Sequence, residues 1–424
     1  MLDRLLALET FGIKLGLDNI TRLCAALGHP ERAFTTIHVA GTNGKGSVTA
    51  MVHSGLLAAG IRSARYTSPH LLSLNERFVI GTEPVPEDTL EAVGTEVLDL
   101  ADRLRDEGTL SVTPTFFEVT TAIGFELFRR AGVEVAVIEV GLGGRFDATN
   151  VIEPIAGAIT TIAFDHQQHL GNTLAQIAFE KAGIIKSGMT VVAGALPPQA
   201  MRVVRNASLD RGATLLETAD LSMGVEMHDG RARITVETPT AMYGPLRLGL
   251  RGEHQTANAL VAIRLLEAAQ AHGLPIEPAA IEQGLENAEW PGRLELLTLP
   301  GNKRIVLDAA HNAEGALALA SYLRTWHTDR PTLVIGIMRD KDVDEILRPL
   351  LPCVSRVIAT AAPTPRALPA AELAHRIGAN ANVIAEPLEA IEHALQMGDT
   401  VCVAGSIFLA GAVRDELKRR AILP

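Results

Sequence analysis

I-H-V-A-G-T-N-G-K-G-S, residues 37 to 47, carries an apolar run into a glycine-rich turn that ends in Lys45, with Ser47 two residues on. Glycines let a backbone curl until several N–H groups point at one spot, and a helix starting there adds its own positive end. Such a turn suits a polyphosphate. Its spacing departs from the common G-x-x-x-x-G-K-S/T loop, because Gly41 stands four residues before Lys45 and Gly46 separates the lysine from the hydroxyl. A plain glycine turn with a solvated lysine is the competing reading. The strand-like run before the turn and the helix-like run after it favour phosphate binding.

Outward from the turn, apolar runs alternate with helix-period stretches. Thr35–Val39 reads as a strand and Ser47–Ala59 as the helix after it. Ile61–Tyr66, Val133–Val140, Ala158–Ala163 and Thr190–Ala193 read as further strands, with a helix over Phe117–Arg130. Strands alternating with helices imply parallel pairing. From about Ser222 to Leu250 the pattern changes, and Asp229-Gly230 between alternating runs signals a small antiparallel sheet. Trp290-Pro291-Gly292-Arg293 punctuates the chain, and strand candidates resume at Lys303–Asp308, Thr332–Gly336, Val354–Ala359, Asn382–Ala385 and Thr400–Ala404. The pattern predicts an α/β protein of two domains. Residues 1–288 would form a phosphate-loop-type, mostly parallel sheet with the small antiparallel sheet, and 289–424 a smaller, doubly wound α/β domain.

A chain of 424 residues exceeds one ordinary core, which agrees with two domains. With 47% hydrophobic and 21% charged residues it reads as soluble and globular, and no apolar run is long enough to span a membrane. The start M-L-D-R-L-L lacks a signal-peptide pattern. A formal net charge of −11 argues against broad nucleic-acid binding, though not against an anionic small substrate in a local pocket. Cys24, Cys353 and Cys402 are scattered thiols with no C-x-x-C pair, pointing to a reducing compartment. A cytoplasmic monomer is the expectation.

A polyphosphate needs a hard cation with oxygen ligands. Glu139 closes V-A-V-I-E-V just before Gly141-Leu142-Gly143-Gly144, at the strand end where α/β sheets bind ligands. Asp165-His166 follows the next strand in the same way. Taken alone, Glu139 is equally a strand-end ion pair, His166 a structural histidine and Lys181, in F-E-K-A-G-I-I-K, a surface lysine.

Together with the glycine loop, the segments Y-T-S-P-H-L (66–71), N-E-R (75–77), T-F-F-E (115–118), E-V-G-L-G-G-R-F-D-A-T-N (139–150), D-H-Q-Q-H-L-G (165–171), E-K-A-G-I-I-K (180–186), W-P-G-R (290–293) and D-A-A-H-N (308–312) resemble the folylpolyglutamate synthase family, including members that double as dihydrofolate synthase, within the Mur ligases. The resemblance runs in order from about Lys14 to Phe408. It implies an ATP-dependent amide ligase: ATP phosphorylates a carboxylate, and the amine of L-glutamate displaces phosphate from the acyl carbon. By resemblance Thr42, Asn43, Gly44, Lys45, Gly46 and Ser47 cradle the phosphates, and Asn258, Arg293 and Asp308 contact ATP, the last two from across the domain junction. Ser68, Glu139 and His166 match magnesium ligands. Lys181 matches a lysine carried as a carbamate, an anionic donor suited to a second ion. Lys45, His166 and Lys181 are the expected catalytic set, and His311 is expected near glutamate. Lys14, Leu15, Gly16 and Leu17, with Thr115, Phe116, Phe117, Glu118, Phe146, Asp147 and Ala148, match segments that hold the pterin substrate. Lys14 stands where some bifunctional members carry aspartate, a charge reversal at the pteroate end.

Three rivals remain at this stage. A Mur-type ligase of a cell-wall precursor would need a separate UDP-binding region, and the stretch before the loop is short. A nucleotide switch would show the ordinary loop spacing and no W-P-G-R or D-A-A-H-N. A catalytically dead binding protein would not keep Lys45, Ser68, Glu139, His166 and Lys181 together.

Overall fold

Residues 1–8, 16–379 and 381–420 are described, in a computed structural model. The phosphate-loop strand β1 (Thr35–Ala40) is joined in the same sheet by β2 (Ser63–Tyr66), β3 (Phe78–Ile80), β4 (Glu83–Pro84), β5 (Val135–Glu139), β6 (Ala156–Ile159), β7 (Thr190–Ala193) and β8 (Thr214–Glu217). Their order is β4-β3-β2-β5-β1-β6-β7-β8, so β1 lies between β5 and β6. β2, β5, β1, β6, β7 and β8 run parallel, and β3 and β4 add an antiparallel edge. All of β5, β6 and β7 is buried, which is why they read as predominantly apolar runs. Register pairs Val39 with Glu139, so the tips of β1 and β5 end together beside the loop.

Strand β6 ends at Ile159, four residues before the expected Ala163. Thr160 N still donates to Ala40 O on β1 at 2.9 Å, while the Thr160 and Thr161 hydroxyls donate to the Asn43 carbonyl, at 2.6 and 3.2 Å, tying this turn to the phosphate loop. The helix after β1, Lys45–Ala58, packs against helix Pro278–Asn287 where Gly55 meets Gly284. A methyl group on Gly284 would run into the Gly55 backbone. We expect Gly284→Ala to cost about 1–3 kcal/mol of overpacking, read as a lower urea midpoint.

An antiparallel sheet of β9 (Ser222–His228), β10 (Arg231–Glu237) and β11 (Met242–Arg251) turns at Asp229-Gly230, where both residues have positive φ. A third sheet holds β12 (Glu295–Thr298), β13 (Arg304–Leu307), β14 (Thr332–Ile335), β15 (Arg356–Ala359), β16 (Ala381–Val383) and β17 (Thr400–Ala404), ordered β12-β13-β17-β14-β15-β16. Only β12 runs antiparallel. The chain divides into two units, one of Met1–Gly224, Ile234–Leu246 and Ala257–Ala288, the other of Val225–Arg233, Arg247–Thr256 and Glu289–Pro424. Among the described residues the cysteines are unpaired and buried, and no helix is long and apolar enough to cross a membrane.

Candidate active site

The turn after β1 is held open by its neighbour strand. Thr42 N donates to Thr161 O at 2.8 Å, and Asn43 N donates to Thr161 Oγ1 at 2.9 Å. Gly41 has φ +151° with Thr160 Oγ1 where a Cβ would go, and Gly44 has φ +82° with the Asn258 amide in that place. Side chains are therefore excluded at both positions for two reasons, backbone conformation and space. Asn258 thus packs directly on the loop. Gly44 caps the helix Lys45–Ala58, placing Lys45 at its positive end, where Nζ reaches Thr42 O at 3.2 Å. Ser47 is buried in the first turn.

Glu139, at the tip of β5, is buried, and its Oε2 lies 3.3 Å from Ser68 N. The Ser68 hydroxyl is buried with no hydrogen-bond partner. An orphaned oxygen beside a carboxylate fits a hard cation. His166 has φ 48° and follows Asp165, which accepts its N–H at 2.9 Å, and its Nε2 lies 3.8 Å from Asp165 Oδ1. Among the described residues no three of His, Cys, Asp and Glu converge as a ready metal cage.

Lys181 is no surface lysine. It is 5% exposed, and its Nζ donates to the Gly41 carbonyl at 2.8 Å. Burial, then the charge of Lys45, lower its pKa to about 7, against the opposing pull of Asp165 and Asp147. Its amine is therefore only partly protonated near neutral pH.

The loop Gly141–Asn150 is organised from inside. Asp147 accepts from Leu142 N at 2.7 Å, and from Thr149 N and Oγ1 at 3.0 and 2.5 Å. Thr149 Oγ1 is 2.9 Å from His38 Nε2 on β1. Burial raises the Asp147 carboxyl and lowers His38 to about 3, keeping the imidazole neutral. Both Asp147 oxygens are thus engaged within the loop, and the group's work is to fix Phe146 and Ala148.

Thr115 and Glu118 form a reciprocal capping box on helix Phe116–Arg130, at 2.7 Å (Thr115 N to Glu118 Oε2) and 3.2 Å (Glu118 N to Thr115 Oγ1). The T-x-x-E spacing is the sequence signature of such a box. Phe116 joins the core, with the Arg77 guanidinium 5.1 Å from its ring centre. The Phe117 ring lies instead over Gly141, where a Cβ would strike it. Lys14 and Leu15 lie outside the described residues, whereas Gly16 and Leu17 lead into helix Asp18–Ala26.

Sequence reasoning missed Arg145 and Phe179. The Arg145 guanidinium is 4.1 Å from the Phe146 ring centre and 5.1 Å from that of Phe179, and it is paired with Glu180 at 2.6 Å. Phe179 is 55% exposed, beside the Lys181 helix turn. An exposed aromatic flanking a cationic plane offers a flat stacking surface.

In the second unit, Asp308 follows β13 and ties down the W-P-G-R turn. Its carboxylate accepts from Leu294 N at 2.8 Å and Ala310 N at 2.9 Å. Burial raises this carboxyl although the Arg293 charge opposes it. His254 is pushed down to about 4 by burial and by Arg293. His311 Nδ1 meets Ala309 O at 2.9 Å, which fixes that nitrogen as the protonated one.

Family models match in two places: the Mur ligase middle domain over residues 39–266, and the Mur ligase glutamate ligase domain over 292–407. A folylpolyglutamate synthase from Lacticaseibacillus casei is 37% identical over 404 residues, 94% of this chain and 93% of its own. A Mycobacterium tuberculosis folylpolyglutamate synthase structure, complexed with ADP and AMPPCP, superposes with TM-score 0.90 at 34% identity, covering 95% of both chains. The bifunctional folylpolyglutamate synthase/dihydrofolate synthase from Yersinia pestis, complexed with AMPPNP and a Mn ion, matches at TM-score 0.85 and 29% identity, over 98% of this chain and 97% of that one.

Proposed function

This chain belongs to the folylpolyglutamate synthase group of the Mur ligase family and is an ATP-dependent amide ligase; from that premise we propose that it joins L-glutamate to folates, and also to dihydropteroate, through an acyl phosphate. A carboxylate is a poor electrophile. Transfer of the ATP γ-phosphoryl group to an acceptor carboxylate oxygen releases ADP and leaves an activated acyl carbon. The amine of glutamate forms the C–N bond there, the C–O bond to phosphate breaks, and the amine gives up a proton.

Catalysis of this kind is positioning and charge neutralisation. The N–H groups of residues 44–47 cradle the phosphates on a turn that Thr42 and Asn43 shape by donating their own N–H groups to Thr161, and Lys45 neutralises the β and γ oxygens. Asn258 abuts the loop, and Arg293 and Asp308 are assigned to nucleotide binding, His311 to glutamate. Ser68, Glu139 and His166 would hold Mg2+, which supplies charge neutralisation at the phosphates. A carbamylated Lys181 would hold a second ion. Phe117 and Phe146, together with Gly16, Leu17 and Ala148, are assigned to the folate or pteroate ring, and Thr115, Glu118 and Asp147 to shaping those segments. A cytoplasmic monomer remains the expectation.

The observation that best supports the reading is the pairing of register: Lys45 heads the helix after β1, and Glu139 ends the strand beside it. The test offers dihydropteroate and tetrahydrofolate separately, each with ATP and glutamate, and records phosphate release. Release that needs both an acceptor and glutamate is expected with each pterin. Turnover indifferent to glutamate would refute a ligase, and turnover with tetrahydrofolate alone would remove the dihydropteroate activity.

A further inference from the structure

The second unit carries a basic cluster that no step above uses. Tyr322, near the end of helix Ala313–Trp326, and His327 just past it are both buried, with ring centres 5.5 Å apart. His327 is 4% exposed, yet neither ring nitrogen has a hydrogen-bond partner. Nor does the buried Nε of Arg304, the first residue of β13, or that of Arg231 on β10. Buried donors left unmade are destabilising unless something else reaches them.

The surroundings say what that is. Arg251, 15% exposed, hydrogen-bonds the Tyr322 hydroxyl. Arg304 and Arg251 act with burial to hold His327 below the ordinary imidazole value, so it is neutral and offers one N–H. Gly230, at φ +72°, backs onto the Tyr322 ring, where a Cβ would come within 2.7 Å. Three anions flank the cluster: Asp229, 3.6 Å from Arg251 and 3.9 Å from Arg247 but 61% exposed at the rim, Asp329, whose charge acts on His327, and Glu289, whose charge acts on Arg231. Guanidinium forks match carboxylates in geometry.

A second consideration selects the occupant. Each ligation cycle removes one carboxylate and brings two, so the product gains a negative charge per round. A net charge of −11 disfavours such a chain, so a lengthening tail gains most where cations cluster locally. Arg304 and Asp308 lie at opposite ends of β13, about 13 Å apart by strand rise. We propose that Arg251, Arg304, Tyr322 and His327 form a carboxylate-binding exosite, separate from the Asp308 end of the strand, that holds the oligo-γ-glutamyl tail of a lengthening acceptor. This rests on the glutamate-ligase reading given above.

The test is fluorescence anisotropy of labelled γ-tetraglutamate on the full chain. Arg304→Gln and Arg251→Gln are each expected to weaken binding by about tenfold or more, the worth of one charge-assisted hydrogen bond. His327→Leu is expected to weaken it and His327→Gln, which restores an N–H, to spare it. Lys45→Ala should bind as wild type, and Arg304→Gln should turn over a monoglutamyl acceptor normally. Unlabelled glutamate and inorganic phosphate should compete poorly. Wild-type binding in both arginine variants, or phosphate displacing the tail as well as tetraglutamate does, would overturn the exosite. Should Arg304→Gln not fold by circular dichroism, the partly exposed Arg251→Gln decides. Binding needs no turnover, so a chain that bound the tail but ligated no glutamate would sink the ligase reading and leave the anion site standing.

Discussion

Lys45→Ala is expected to lower kcat roughly a hundredfold or more, the usual worth of one electrostatic contact to charge developing in a transition state. Alanine is the best helix former, so the helix Lys45–Ala58 keeps its first turn. The glycine turn also survives, because Thr160, Thr161 and Asn258 shape it rather than the lysine. What disappears is the cation at the helix head. Lys45→Arg is expected to recover little, since a planar fork replaces a compact charge in a turn fitted to the latter. The measurement is steady-state phosphate release with ATP saturating, alongside nucleotide affinity. Retention of more than about a tenth of the wild-type rate would contradict the assignment. The substitution has a second consequence: Lys45 is one cause of the lowered Lys181 pKa, so its removal should raise that value.

How far the sequence reaches depends on whether a residue's role is local. The sheet around β1 was legible because its buried parallel strands are mostly apolar, and the hairpin at Asp229-Gly230 because two positive φ values suit that dipeptide. The end of β6 was not, because Thr160 and Thr161 look like strand residues until the Asn43 carbonyl that claims their hydroxyls is known. Asp147 reads equally as a ligand-facing or an inward-facing acid, and only the folded loop turns it onto Leu142 and Thr149. Arg145 gains meaning from Phe179, 34 positions later by their numbers, and the basic cluster draws on three separate stretches of chain. Periodicity carries no information about such meetings.

Lys181 shows the same limit most sharply, and its replacement should be the other large effect. On sequence it is one charged residue on a helix. In the fold it sits under the Gly41 carbonyl, and burial dominates its electrostatics. As pH rises through about 7 the folded chain gives up this proton, while the unfolded chain, at the ordinary 10.5, keeps its own. The unfolded state then binds more protons, so this group makes stability rise with pH across that window. The lowered value makes the neutral amine accessible near neutral pH. A neutral amine can attack carbon dioxide: the N–C bond would form, one proton would leave, and the proposed carbamate would put an anion where a cation would repel metal. Lys181→Ala is therefore expected to lower turnover roughly a hundredfold, with partial recovery when a short carboxylic acid is supplied to occupy the space of the carbamate. Carbon-labelled bicarbonate should give a carbamate NMR signal in the wild type and none in the variant. A variant that recovers with no acid at any concentration, together with a wild type showing no carbamate signal, would leave Lys181 as a prop for the glycine loop and nothing more.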